Sequence, residues 1–77
     1  MKFEILEIVI LAHNIPEHGL RTGDVGTVVE IYPGDGLEVE FVRGSGITQA
    51  LLTLNERDLR KLDSHDLLST RRLAKVS

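Results

Sequence analysis

The chain has 77 residues, nine basic and twelve acidic side chains for a net charge of −3, and no cysteine. That length fits one domain, and the absence of cysteine excludes disulfide staples and thiolate metal sites. An acidic balance also runs against nucleic-acid binding, which draws its affinity from neutralised phosphates.

The first predicted strand covers residues 5–13, an apolar, β-rich segment interrupted by Glu7 and lacking a helix cap. Its apolar run is too short for a membrane span. No small-residue cleavage site follows, so neither a signal peptide nor a membrane segment is expected. Residues 14–20 form a loop. Pro16 removes a backbone donor and biases Ile15 to extended geometry, and Ile15 and Leu20 are expected to anchor the loop on the core.

The second strand is expected over residues 26–32, with Thr27, Val29 and Ile31 on one face and Val28, Glu30 and Tyr32 on the other. Pro33, Gly34, Asp35 and Gly36 form a turn. Residues 37–41 alternate strictly, so Leu37, Val39 and Phe41 face the core while Glu38 and Glu40 face water. Residues 43–46 form a second turn, and residues 48–54 a further strand. Asn55 is a helix-capping type followed by early acids, which predicts a single 3₁₀ or α turn. Residues 60–62 then form a short closing strand. The rest lacks a clear period. Ser64 is a possible cap for a short helix reaching Arg72, but a helix of that length is marginal alone.

Short strands separated by turns of Gly, Pro, Asn and Asp indicate a small all-β barrel of about five strands, with one short helical turn before the last. The domain is expected over residues 1–62, with a flexible or short-helical tail over 63–77. Gly23 and Gly26 raise the question of a phosphate cradle. Such a cradle needs a strand before the glycines and a helix after them. Here a strand follows, so the pair is read as a tight turn and a bend into the barrel wall.

The stretch GDVGTVVEIYPGDGLEVEF resembles the strand–turn–strand core of SH3-like barrels of the KOW type. A wider series comprises IPEHGL at residues 15–20, GDVGTVV at 23–29, ALLTL at 50–54 and DLR at 58–60. It resembles a family of small bacterial stand-alone proteins, the domain of unknown function 4926, over residues 3–62. That resemblance implies an SH3-like barrel and brings no established activity.

No constellation points to catalysis or a cofactor. His13 and His18 flank a proline loop and His65 lies in the tail, so convergent metal ligands are not expected. Ser45 sits in a Gly–Ser–Gly turn rather than a nucleophile elbow. The aromatics are Phe3, Tyr32 and Phe41, too few for a nucleic-acid stacking platform or a proline-peptide groove. Residues 1–54 carry three basic and eight acidic side chains, and residues 55–77 six basic and four acidic. The basic group is Arg57, Arg60, Lys61, Arg71, Arg72 and Lys75, diluted by Asp58, Asp63 and Asp66.

The expected function is a non-enzymatic protein-interaction module of the cytoplasm, of the inhibitor, antitoxin or immunity type. It needs no cofactor and binds a protein partner of unknown identity, as a monomer or homodimer. The candidate binding residues are His18, Arg21, Asp24, Glu30, Tyr32, Glu38 and Glu40. Alternatives are a KOW-like nucleic-acid or ribosome-associated factor, resting on the hairpin and basic tail, and an accessory subunit of an enzyme complex.

Overall fold

Five antiparallel strands form one sheet in a computed structural model that describes residues 2–73. They are β1 (Ile8–Leu11), β2 (Val25–Ile31), β3 (Gly36–Val42), β4 (Thr48–Asn55) and β5 (Leu59–Lys61), in the order β4-β3-β2-β1-β5. A 3₁₀ turn, Glu56–Asp58, carries the chain from one end of that order to the other. Its entry is fixed by the Asp58 carboxylate, which accepts the Asn55 N–H at 2.8 Å. A meander with a 3₁₀ turn before the returning strand is the plan of an SH3-like barrel.

The strict alternation of β3 does what its period requires. Leu37, Val39 and Phe41 are buried, and Glu38 and Glu40 turn to the other face. Around that apolar row pack Phe3, Val9, Leu11, Val28, Ala50, Leu54 and Leu59. Ile15 and Leu20 are buried in the same core and bridge to each other, so the loop is anchored as its sequence indicates. Within it lies a second 3₁₀ turn, Pro16–His18, which closes on Gly19 at φ 69°.

Three local expectations are corrected. The first strand begins only at Ile8, because residues 4–7 form a turn in which the Glu7 N–H donates to the Glu4 carbonyl at 3.1 Å and Leu6 takes φ 70°. A left-handed conformation is unusual for a bulky residue and breaks strand geometry. In β2 the register against β3 shifts between Val28 and Glu30. Val28 therefore packs opposite Val39 in the core, Glu30 stands opposite Glu38 on the outside, and Ile31, not Val29, packs against the core. This β-bulge overrides the simple period-2 assignment of faces. Finally, no helix forms between Ser64 and Arg72.

The segment after β5 nevertheless lies on the barrel. Arg60 holds Asp66 through two bonds of 2.8 and 2.9 Å. Arg71 holds Asp24 through two of 2.9 and 2.6 Å and donates to the Gly19 carbonyl. The register places Ile10 opposite both Arg60 and Val25, between these two anchors. Ile10 is 3% exposed yet stands outside the core cluster. A segment crossing the outer face of β5, β1 and β2 accounts for that burial. Lys75, counted in the basic group above, lies outside the described residues.

Candidate functional site

The seven candidate residues fall into two groups, one along β3 and its first turn and one beyond the C-terminal end of β3. Glu30, Tyr32, Glu38 and Glu40 lie on the outer face of the β2–β3–β4 sheet and its first turn. His18, Arg21 and Asp24 lie beside the β3–β4 turn and the C-terminal segment.

The first group is set by cross-strand register. Glu30 stands directly opposite Glu38, and Thr27 opposite Glu40. Like charges facing each other across an antiparallel pair are destabilising. The carboxylates are also held in place. Thr53 Oγ1 donates to Glu38 Oε1 at 2.6 Å, and Thr48 Oγ1 donates to Glu40 Oε2 at 2.6 Å. Both threonines belong to β4, so three strands define the face. Tyr32 closes one end, where its N–H donates to the Gly36 carbonyl at 2.9 Å across the turn. Partial desolvation, then the charges of Glu38 and Glu30, push its phenol above the ordinary range. The exposed apolar side chains of Val42 and Leu51 adjoin the carboxylates along β3 and β4.

The second group is organised by Asp24, which accepts the Arg21 N–H at 2.8 Å as well as the Arg71 guanidinium. Burial raises its pKa, but the bonds from Arg71 and Arg21 outweigh this and hold the carboxyl below its usual range. Arg43 and Gln49 are the residues here that sequence reasoning does not select, and Arg71 enters it only within the basic group of the tail. Arg43 Nε donates to Gln49 Oε1 at 2.7 Å, and Gln49 Nε2 donates to the His18 carbonyl at 3.1 Å. The Arg71–Asp24 contact spans 47 positions, and no local pattern announces it.

Gly26 is explained by packing. A Cβ there would lie 2.7 Å from Val39 Cγ1 and 2.9 Å from Phe41 Cε1. Gly23 takes φ 94° in the preceding turn. The two glycines therefore serve a turn and a close approach of β2 to β3.

His13 bonds Asp58 at 2.7 Å, tying the start of the first loop to the Glu56–Asp58 3₁₀ turn. The Asp58 bond, assisted by the Asn14 carbonyl, raises the His13 pKa. Among the described residues no three His, Cys, Asp or Glu side chains gather as metal ligands. No helix there is long and apolar enough to cross a membrane.

Fold and surface together define a small SH3-like β-barrel domain with a fixed acidic face. The model of one protein family, described as a domain of unknown function (DUF4926), matches residues 5–61, and the chain belongs to that family. Neither a curated protein nor a solved structure matches the chain.

Proposed function

We propose that this protein is a non-enzymatic protein-interaction module that binds a basic segment of its partner on the outer face of β2–β3–β4. The observation that carries the reading is the direct juxtaposition of Glu30 and Glu38, with Glu40 on the same face. Like charges opposite one another cost stability. Threonine bonds hold two of these carboxylates and so reduce the ordering needed on binding. A lysine or arginine from a partner relieves the repulsion and gains a charge-assisted hydrogen bond.

The sheet edge supports the same reading. Among the described residues β4 pairs only with β3, and its eight residues include neither proline nor a charge. Exposed edges are ordinarily blocked by such residues, and an open edge accepts an added strand. The partner's main chain is accordingly expected along β4, with its basic side chains reaching Glu38 and Glu40. This is the mode expected of an inhibitor or immunity-type protein. The absence of cysteine suits a reducing cytoplasm.

The nucleic-acid alternative requires a basic face. Two of the basic side chains it would use, Arg60 and Arg71, are committed to Asp66 and Asp24, which favours the protein-binding reading.

The test is a paired measurement on Glu30→Gln/Glu38→Gln. The substitution is expected to raise the stability of the isolated protein while abolishing capture of its partner from host lysate. Unchanged capture by the variant would overturn the assignment of the face.

A further inference from the structure

The second group of residues frames an open groove of about 690 Å³ between the residue 16–21 loop, the β3–β4 turn and the C-terminal segment. Its lining is basic in a protein whose net charge is −3. Arg21, Arg43 and Arg71 all face it, against the single carboxylate of Glu17. Arg71 is spent on Asp24, at 2.6 Å, and on the Gly19 carbonyl. Arg21 and Arg43 give no side-chain hydrogen bond to a carboxylate, although the Arg21 charge also acts on Asp24. Among the described residues the Arg21 guanidinium has no hydrogen-bond partner, and Arg43 uses Nε alone, on Gln49.

Arg43 is aimed. Its Nε is bonded to Gln49, and Gln49 is bonded to the His18 carbonyl, so the β3–β4 turn and the first loop are joined by one chain of hydrogen bonds. A Cβ at Gly19 would come within 3.2 Å of Gln49 Nε2, and Gly19 takes φ 69°, a combination that keeps the bridge clear. The two terminal nitrogens of Arg43 are left with donors unspent, and the residue lines the groove.

We propose that this groove is a binding site for a phosphate ester, its phosphate held between Arg21 and Arg43. Guanidinium forks match oxyanions in both charge and donor geometry. The two forks come from different elements. A phosphate monoester presents three oxygens in different directions and carries nearly two negative charges at neutral pH, whereas a carboxylate presents two oxygens in one plane. The groove is far larger than a phosphate group and lies in the range of small-ligand pockets. Leu20, Pro16 and Leu73 line it and offer apolar surface to the organic part of the ester.

This site goes beyond the protein-binding reading and shares no residue with the β2–β3–β4 face. Glu40, the member of the acidic face nearest the groove, is three residues from Arg43, about 10 Å at the usual strand rise, and Glu38 lies two residues further along β3. The experiment is an NMR titration of the full ¹⁵N-labelled chain at low ionic strength with inorganic phosphate and with phosphoserine, and with sodium chloride as control. The expected result is a saturable shift of the Gly19 amide, the Gln49 side-chain amide and the Arg43 Nε–H, with both phosphate probes. Arg43→Gln and Arg21→Gln should each weaken binding about tenfold, the loss typical of one charged hydrogen-bond partner. Glu38→Gln should leave it unchanged. Both arginines are exposed, and the thermal midpoint of each variant reports that it folds. Shifts that do not saturate, that chloride reproduces at equal ionic strength, or that survive both arginine substitutions would overturn the proposal.

Discussion

Replacing Gly26 with alanine tests the packing of β2 on β3 at a single methyl group. The added Cβ would sit 2.7 Å from Val39 Cγ1, 2.9 Å from Phe41 Cε1 and 3.2 Å from the Glu40 carbonyl oxygen. Val39 is 0% exposed and Phe41 2% exposed. Neither side chain can retreat into solvent, and the carbonyl belongs to the sheet backbone. Overpacking of this kind costs about 1–3 kcal/mol. Alanine also restricts the unfolded chain, which returns about 0.4–1 kcal/mol. The net destabilisation is therefore about 1–2 kcal/mol, or a fall of roughly 5–15 °C in Tm for a domain of this size. Gly44→Ala is the matched control. A Cβ there meets nothing within 4 Å, and Gly44 is not among the glycines of positive φ, so its Tm should hold or rise. The assay is thermal and urea unfolding followed by circular dichroism. Val39→Ala in the Gly26→Ala background should cost less than in the wild type, since it removes one of the clashing methyls. A Gly26→Ala protein as stable as Gly44→Ala, or strict additivity with Val39→Ala, would refute this account of the close approach.

Other outcomes follow from the surface contacts. Glu38→Gln should stabilise the isolated domain by about 0.2–1 kcal/mol by removing the like-charge pair with Glu30, and the gain should shrink as salt screens the repulsion. His13→Ala should alter the pH profile of stability. The His13 pKa is raised in the folded protein, so its contribution is fully present below the unfolded histidine pKa and is lost as pH rises through the folded value. Burial works to raise the Asp58 pKa, but the Asn55 and His13 bonds outweigh it and leave it lowered, so its contribution is lost as pH falls through its folded value. The difference between wild type and His13→Ala is thus greatest in mildly acidic solution and fades towards pH 8 in equilibrium unfolding experiments. Arg71→Gln should cost about 0.5–1 kcal/mol in chemical denaturation. It should also speed hydrogen exchange and proteolysis over residues 62–73 while leaving β3 protected.

Much of this architecture is legible in the chain because local chemistry decides it. Strict alternation sends Leu37, Val39 and Phe41 inward. Pro33 and Gly34 close the first turn, and Asn55 with Asp58 marks the last 3₁₀ turn. Ile15 and Leu20 stand out as apolar residues in a polar loop. What escapes a sequence reading depends on pairs of strands rather than on one. The register shift at Val28 and Glu30 arises only when β2 meets β3, and it parts Ile31 from Val29 and sends it to the core side with Val28. The acidic face is partly legible, since Glu38 and Glu40 share a period. The opposition of Glu30 to Glu38 and the threonine bonds from β4 depend on register. The turn at Leu6 carries no Gly or Asn signal. The Arg43–Gln49–His18 chain and the Arg71–Asp24 pair join residues remote in sequence, so the basic groove is a product of the fold alone.

The central claim is that the Glu30, Glu38 and Glu40 face binds a protein. The most direct test is affinity capture from host lysate by the wild type and by Glu30→Gln/Glu38→Gln/Glu40→Gln, each with and without nuclease, read by quantitative mass spectrometry. The account predicts a stoichiometric protein partner that survives nuclease with the wild type and is lost with the triple variant. A partner retained equally by both proteins, or one that disappears on nuclease treatment, would contradict it.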